Sequence, residues 1–276
     1  MSNLFSILDR KLSYKFQEKD NRDHIFYSEK NIKDNSEIYK ISIPLKNNTV
    51  SKVVGSSANN FVIPNLPQIL DQRNIGSCVA NSFAFCICCQ TGNKIISSRL
   101  YHYINSRLLD FTPLIRDDGT TIRTACKAIS RYGVVAENLL PYVTSNFSIF
   151  PTLSIYQSAK LFKSFSYTFV NQDLISIKNC LNNFKAPIIF GVLIYSSFMT
   201  REVATTGMVP MPNLTKDRNL GGHCMNIVGY NDNTKMFTCV NSWGSNWGNK
   251  GLCYIPYAYL LNTRLAADFC FLQIIQ

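Results

Sequence analysis

The stretch Asn241-Ser242-Trp243-Gly244-Ser245-Asn246-Trp247-Gly248-Asn249-Lys250-Gly251 is the most distinctive part of this sequence. It holds both tryptophans of the chain and three of its 13 glycines. By composition alone it is a Gly- and Trp-rich turn. An Asn side chain can also accept a hydrogen bond from one histidine nitrogen and so fix which nitrogen carries the proton. Because a neighbouring Trp would exclude water from that bond, the stretch predicts a site where Asn241 orients a histidine.

Three histidines are available for this role. His24 lies in a charged region and His102 between tyrosines of a predicted helix, where surface or core roles are the default. His223 follows Gly221-Gly222 and begins a predicted strand. Two glycines allow another backbone to approach closely, as a substrate beside a catalytic base would require. His223 is therefore the candidate base, and a purely structural turn is the alternative that this feature leaves open.

Cys78 stands behind Gly76-Ser77 in the first turn of a predicted helix over residues 78–90. That helix is apolar on nearly every face, which predicts that it runs buried through the domain, and Ser77 is a candidate cap. The positive end of a helix dipole favours a thiolate, and a thiolate paired with an imidazolium is the nucleophile of cysteine hydrolases. A small buried hydrophobe is the alternative interpretation of Cys78.

The chain has ten cysteines and no visible secretory signal, so we expect reduced thiols rather than disulfides. Cys86, Cys88 and Cys89 are close together, but a C-x-C-C pattern lacks the second ligand pair of a zinc site. We expect neither a metal nor an organic cofactor.

The net charge of +11 raises a nucleic-acid hypothesis. The basic residues are scattered, however, and no run of like charge or known nucleic-acid motif is present. The longest apolar stretch, residues 186–195, is too short to cross a bilayer. We therefore expect a soluble cytoplasmic monomer that binds neither nucleic acid nor membrane.

Residues 1–60 carry 17 charged residues, against 28 in the remaining 216. This density predicts an exposed N-terminal arm over residues 1–60 that adds little to the core, with a short helix over residues 6–19 and a linker over residues 47–60.

Helical patterns precede strand patterns along the rest of the chain. Helices are predicted over residues 99–109 and 121–132, the second ended by Gly133. A buried strand is predicted over residues 188–195, followed by a hairpin of residues 224–230 and 236–241. Helices first and strands later predict an α+β protein in two lobes.

Together these blocks resemble the papain-like cysteine peptidases, the cathepsin family, in their compact bacterial and viral form. The resemblance covers residues 64–270, and its blocks are far more specific together than singly. They are Asp71-Gln72, Gly76-Ser77-Cys78, Gly222-His223, Ile227-Val228-Gly229-Tyr230 and Asn241-Ser242-Trp243-Gly244. The resemblance implies a peptidase domain over residues 61–276, with a helical left lobe (64–164), an antiparallel barrel-like right lobe (165–276) and the active site between them.

The resemblance also implies a cysteine-type endopeptidase that hydrolyses proteins or peptides through a Cys78 thioester acyl-enzyme. His223 would be the general acid and base, Asn241 would orient its imidazole, and Gln72 would hold the oxyanion. A catalytically silent binding or virion-associated protein of the same fold is the alternative. A Cys-His amidase or transglutaminase of another family would share the chemistry but not the Gln-to-Cys spacing or the Asn-Ser-Trp block.

By the same resemblance, Gly119 would offer backbone hydrogen bonds to an extended substrate. Gly222 would also contact the substrate, and Trp243 would cover the Asn241–His223 pair. Leu265 or Ala266 is the expected floor of the main specificity pocket.

Three positions depart from the family pattern: Ile75 replaces a common Cys, Val79 a Trp and Arg73 a Gly. The missing Cys removes one partner of a family disulfide. The arm is shorter than the family's inhibitory propeptide and lacks its helical pattern. We therefore expect the full-length chain to be competent without cleavage, with a role of the arm as a short pro-segment left open.

Overall fold

The computed structural model describes residues 10–20, 23, 25–26, 59–159 and 165–274. In these ranges the helices are α1 Cys78–Gln90, α2 Arg99–Leu109, α3 Ile122–Tyr132, α4 Leu153–Ala159, α5 Leu174–Phe184, α6 Arg201–Thr206 and α7 Tyr257–Leu260. The strands are β1 Ile25–Phe26, β2 Asn60–Val62, β3 Phe165–Val170, β4 Ile188–Tyr195, β5 Asn219–Asn231, β6 Met236–Val240, β7 Leu252–Pro256 and β8 Ala266–Ile274.

The eight strands form one sheet in the order β1-β3-β8-β4-β5-β6-β7, with β2 added alongside β5. The pairs are antiparallel except for β1 and β3, which run parallel. Helices α1 to α3 precede strands β3 to β8 in the chain, and α1 and α3 pack against the sheet, so the α+β fold in two lobes is confirmed.

Helix α1 lies at the centre of the molecule. Eleven of its 13 residues are buried, because the sheet, α2 and α3 all pack against it. The prediction of a helix buried on every side is confirmed. The predicted cap is wrong: the Ser77 side chain makes no capping bond, and its hydroxyl instead bonds to the Tyr142 hydroxyl and the Asn81 amide.

The other predicted elements lie where the sequence placed them. Helices 99–109 and 122–132 form, capped by Ser98 and Thr121, and Gly133 ends the second in a positive-φ conformation. Strand 188–195 is buried along most of its length. The predicted hairpin forms too, although β5 begins at Asn219, five residues before the predicted start.

Arg107 holds the loop that leads from α2 to the cleft between the lobes. Its guanidinium is fully buried, lies over the Tyr103 ring and donates to the carbonyls of Leu114 and Arg116 at 2.8 Å. Because hydrogen bonds from a charged donor are strong, this buried group fixes the path of residues 114–116, which leads directly to Gly119.

The prediction that the arm adds little to the core is wrong for its described residues. Tyr14 and Phe26 are 4% and 1% exposed, and residues 25–26 pair with β3. Residues 10–20 form no helix but an extended segment; residues 6–9 and 47–58 of the predicted helix and linker lie outside the described residues. The charge density was misleading because several of these charges pair with the domain instead of facing water, as Arg10 does with Asp71.

We expect Phe26→Ala to lower the free energy of unfolding by about 3–5 kcal/mol, as for other buried Phe truncations. Phe16→Ala is the matched control, because Phe16 is 41% exposed in the same arm and its loss should cost about 1 kcal/mol or less. Urea unfolding of both full-length variants measures the difference. Equally small effects would contradict the packing of residues 25–26 against the sheet.

Candidate active site

Cys78 is the first residue of α1 and is completely buried. Its sulfur lies against Ser13 of the arm and the backbone of Cys224, the residue that follows His223. The packing of α1 on β5 therefore brings the start of the helix to the strand that carries the histidine.

His223 and Asn241 form the predicted hydrogen bond, because β5 and β6 pair with Asn226 opposite Val240. The His223 Nε2 lies 2.8 Å from Asn241 Oδ1, and the Ser242 backbone N–H donates to the same oxygen at 2.8 Å. Since a backbone N–H can only donate, its partner must be the amide oxygen, and the Nε2 must then carry the proton. The Nδ1 is left as the acceptor, buried and without a hydrogen-bond partner among the described residues.

Aromatic rings cover the His223–Asn241 bond. The Trp243 ring lies 5.1 Å from the His223 ring, measured between centroids. Trp247 and Phe198 pack against Trp243 at 5.1 and 5.8 Å. A bond enclosed in this way is protected from water and is stronger than an exposed one.

Gln72 is fully buried, and its side chain is fixed from one side. The Ser242 hydroxyl donates to Gln72 Oε1 at 2.7 Å, so the Nε2 points the other way, into the cleft. There it donates to the carbonyl of Lys11 at 3.0 Å and of Ile75 at 3.3 Å. Arg99 supports the segment from behind by donating to the Asp71 carbonyl.

Residues 10–20 of the arm cross the cleft and bond to both of its sides. The Tyr14 N–H donates to the Gly222 carbonyl on β5 at 3.0 Å. The Lys15 N–H donates to the Thr120 carbonyl of the helical lobe at 3.2 Å. An extended peptide backbone is thus recognised between the two lobes.

The arm packs directly against Gly119, which has no side chain to block it. Its φ is 73°, and a Cβ at this position would lie 1.7 Å from the Ser13 carbonyl oxygen, so only glycine fits. The sequence predicted that its backbone would bond to an extended substrate. Its N–H is already used, since it donates to the Tyr103 hydroxyl at 3.1 Å.

Ion pairs fix the start of this segment. The Arg10 guanidinium pairs with Asp71, and the Lys11 ammonium lies 3.0 Å from the Asp117 carboxylate. Asp117 also accepts from the Gly76 N–H and the Tyr103 hydroxyl. The arm is therefore held by charge at the same loops that carry Gln72 and Gly119.

Burial favours the neutral forms of the Cys78 thiol and the His223 imidazole. Desolvation raises the pKa of the Cys78 thiol above its usual value of 9.0. It lowers the pKa of His223 from 6.5 to about 4, against the Asn241 hydrogen bond and with a further contribution from Arg10. A thiol and a neutral imidazole are thus present at neutral pH, and not the ion pair that nucleophilic attack requires.

The remaining sequence candidates lie outside this site. His102 is a buried core residue whose Nε2 lies 2.9 Å from the Ala125 carbonyl, and His24 is outside the described residues. The ten cysteines are free thiols. Within the described ranges, no cluster of His, Cys, Asp or Glu could hold a metal ion, and no helix is long and apolar enough to span a membrane.

Sequence reasoning missed four residues that shape the site: Arg10, Tyr14, Asp117 and Asp268. The Tyr14 hydroxyl donates to the Asp268 carboxylate. No local pattern marks these residues, because each has at least one partner 41 or more positions away in the chain.

Comparison with known proteins agrees with this geometry. The family model described as "Papain family cysteine protease" matches residues 61–265. An uncharacterized peptidase C1-like protein of Acanthamoeba polyphaga mimivirus is 34% identical, over 97% of this chain and 88% of that protein. The crystal structure of xylellain, a cysteine protease from Xylella fastidiosa, is similar with a TM-score of 0.82, 27% identity and 97% coverage of both chains. Procathepsin B of Trypanosoma congolense shares the fold, with a TM-score of 0.63, 14% identity and coverage of 99% and 88%.

We expect acid to release the arm only at low pH. Burial raises the pKa of the Asp71 carboxyl, but hydrogen bonds from Arg10 and Arg73 outweigh it and hold this pKa below 3.8. Because the folded pKa is depressed, the stabilisation by Asp71 is fully present above that value and is lost as the pH falls below it. Fluorescence of Trp243, whose carbonyl faces Arg10, should therefore be constant down to pH ~4 and change below it. Asp71→Asn should weaken this transition, and a midpoint near pH 6 would contradict the assignment.

Proposed function

Because the chain belongs to the papain family of cysteine proteases, we propose that Cys78, His223, Asn241 and Gln72 carry out its reaction. The chain is a cysteine endopeptidase, and its substrates are proteins or peptides. The two-lobed fold supplies the cleft in which an extended peptide lies.

The shared oxygen of Asn241 is the observation that carries this proposal. It accepts from His223 Nε2 and from the Ser242 N–H, which leaves His223 Nδ1 as the base. The Nδ1 takes the proton of the Cys78 thiol as the sulfur attacks the substrate carbonyl carbon. The resulting imidazolium then gives that proton to the leaving amine, and water hydrolyses the thioester with His223 again acting as base.

Gln72 is proposed to stabilise the oxyanion together with the Cys78 backbone N–H. Its Nε2 is fixed by Ser242 and already donates to a peptide carbonyl, that of Lys11. A preorganised donor of this kind contributes most where negative charge develops in the transition state. The alternative of a silent binding protein is not favoured, because all four polar groups are present and the amide groups are fixed in the orientation that the reaction requires.

We further propose that residues 10–20 keep the full-length enzyme latent, acting as the short pro-segment that the sequence left open. They cover Cys78 and Gly222 and remove water from the thiol and the imidazole. This favours latency over the competence expected from the sequence. Displacement of the arm would return water to both groups, which lowers the thiol pKa and raises the imidazole pKa.

The arm is also a poor substrate for its own enzyme. A scissile carbonyl must meet the oxyanion donor and the nucleophile together. Here the carbonyl bound to Gln72 belongs to Lys11, whereas the residue against Cys78 is Ser13. Because the two contacts come from different residues, the arm can occupy the cleft without being cleaved there.

We propose that the enzyme acts as a monomer and without nucleic acid. All four proposed catalytic residues come from one chain. Several basic side chains bind carboxylates, rings or backbone carbonyls of the same chain, which supports a role of their charge in the fold and not in binding nucleic acid. They are Arg99, Arg107, Arg123 and Lys178.

We expect Cys78→Ala to abolish peptide hydrolysis by the activated enzyme while leaving its thermal unfolding nearly unchanged, since one small buried side chain replaces another. Cys88→Ala is the matched control, a buried thiol on the same helix that lies a full ten positions further along. Hydrolysis of a fluorogenic peptide measures both variants. Activity of Cys78→Ala within tenfold of the parent would remove Cys78 from the mechanism.

We expect Arg10→Ala to increase the initial hydrolysis rate of the full-length protein several-fold, because it removes the ion pair with Asp71 and the positive charge near His223. Lys19→Ala, an exposed position of the same arm, should leave the rate unchanged. Equal rates for the parent and Arg10→Ala, both already high, would contradict latency and restore the original expectation.

A further inference from the structure

Tyr14 fills a pocket directly beside Cys78. Its side chain is 4% exposed and belongs to the same buried cluster as Cys78, Ile189 and Cys224. Its backbone N–H is bonded to Gly222, in the part of the cleft where an extended substrate would lie. The arm therefore shows what kind of side chain this pocket can hold.

Two glycines give the pocket its shape. A Cβ on Gly191 would lie 2.0 Å from Cε1 of the Tyr14 ring, and a Cβ on Gly222 would lie 3.2 Å from its Cδ1. Any larger residue at Gly191 would therefore displace the ring. The space is that of a long, flat side chain that lies against the face of β4 and β5.

A carboxylate lies at the end of the pocket. The Tyr14 hydroxyl donates to Asp268, and burial together with the Asp268 charge raises the pKa of Tyr14, so the phenol keeps its proton. Asp268 faces Arg123 and Asp23 and accepts a backbone hydrogen bond from Gln17. Among the described residues, the Tyr14 hydroxyl is thus one of few hydrogen-bond donors to this half-buried carboxylate.

The backbone is distorted at this residue. Pairing of β4 with β8 is interrupted between Ile189 and Gly191, where Cys270 and Ala267 are the partners, so two residues of β8 oppose one of β4. Asp268 lies in this bulge with a φ of 59°. Bulges beside active sites redirect side chains, and a non-glycine residue in the left-handed region points to a functional constraint. The expected floor residues, Leu265 and Ala266, are instead buried in the main core.

We propose that Asp268 determines the substrate preference of this enzyme. The Tyr14 pocket accepts a long planar side chain with a hydrogen-bond donor at its tip, which is tyrosine or arginine in a peptide substrate. This inference rests on the proposed function of Cys78 and deepens it by naming the substrate class. The arm then competes with substrates, because the Tyr14 hydroxyl donates a hydrogen bond to Asp268 as the substrate side chain would.

The discrimination follows from the desolvated carboxylate. A phenylalanine or leucine side chain would fill the pocket but leave Asp268 without a donor from the ligand. Loss of a hydrogen bond to a partly buried carboxylate is costly, and sites built to bond a hydroxyl reject analogues that lack it. We expect kcat/KM to be about 10–100-fold higher for Tyr or Arg than for Phe or Leu at the position that enters the pocket.

The test uses the full-length chain with the arm loosened by Arg10→Ala and Tyr14→Ala. Fluorogenic peptides carry Tyr, Phe, Arg or Leu at each position around the scissile bond in turn. With Asp268 present, one position should prefer Tyr and Arg. With Asp268→Leu the preference for both should disappear, and with Asp268→Asn the preference for Arg should fall more than that for Tyr. Asp118→Asn, a carboxylate of the helical lobe, is the charge control and should change nothing.

A second measurement needs no catalysis. In the full-length protein, Tyr14→Phe should increase the alkylation rate of Cys78 about tenfold, because it deletes the hydroxyl that binds Asp268. In an Asp268→Leu background the same change should have no further effect. Additive effects of the two substitutions, or peptide cleavage with the same preference in Asp268→Leu, would overturn this inference. A different result would contradict the proposed function but not the pocket assignment. In that case no peptide is cleaved, while the effect of Tyr14→Phe on the alkylation rate of Cys78 still depends on Asp268.

Discussion

The burial of helix α1 on every side is the constraint on which the rest of the molecule depends. An apolar helix of 13 residues can be covered only if the sheet packs on it together with α2 and α3. This packing places Cys78, at the helix start, against the strand of His223. The strand pairing of β5 and β6 then sets Asn241 beside His223, and the Ser242 N–H fixes the orientation of the Asn241 amide.

The same burial has an electrostatic consequence. Catalysis by a thiolate and an imidazolium requires two charges, and a dry site favours neither. With the arm in place, desolvation outweighs the Asn241 hydrogen bond and holds His223 neutral at physiological pH. In the proposed latent state, water access to the cleft would set the charge state of Cys78 and His223, so that residues 10–20 could control both groups without a covalent change.

The arm makes the interactions that we propose for a substrate. Its backbone bonds to Gly222 and Thr120, its Lys11 carbonyl meets Gln72, and its Tyr14 side chain fills the pocket at Asp268. What differs is the order in which these contacts follow the chain, since the carbonyl at Gln72 and the residue at Cys78 are two positions apart. In the proposed latent state, the arm can therefore occupy the cleft without being cleaved.

The sequence by itself predicted most of the helices and strands and selected the residues that we propose for the reaction. Helix 78–90 and strand 188–195 could be predicted because hydrophobic periodicity is local, and Cys78, His223 and Asn241 could be selected because their chemistry and flanking glycines are local too. The tertiary structure alone decided the place of the arm and the contact of Asp268 with Tyr14. The charges of residues 10–20 resemble a solvated segment until Asp71 is opposite Arg10, and Asp268 is an ordinary strand residue until a bulge turns it toward Tyr14. Both outcomes depend on partners distant in sequence, and periodicity and propensity carry no information about such pairs.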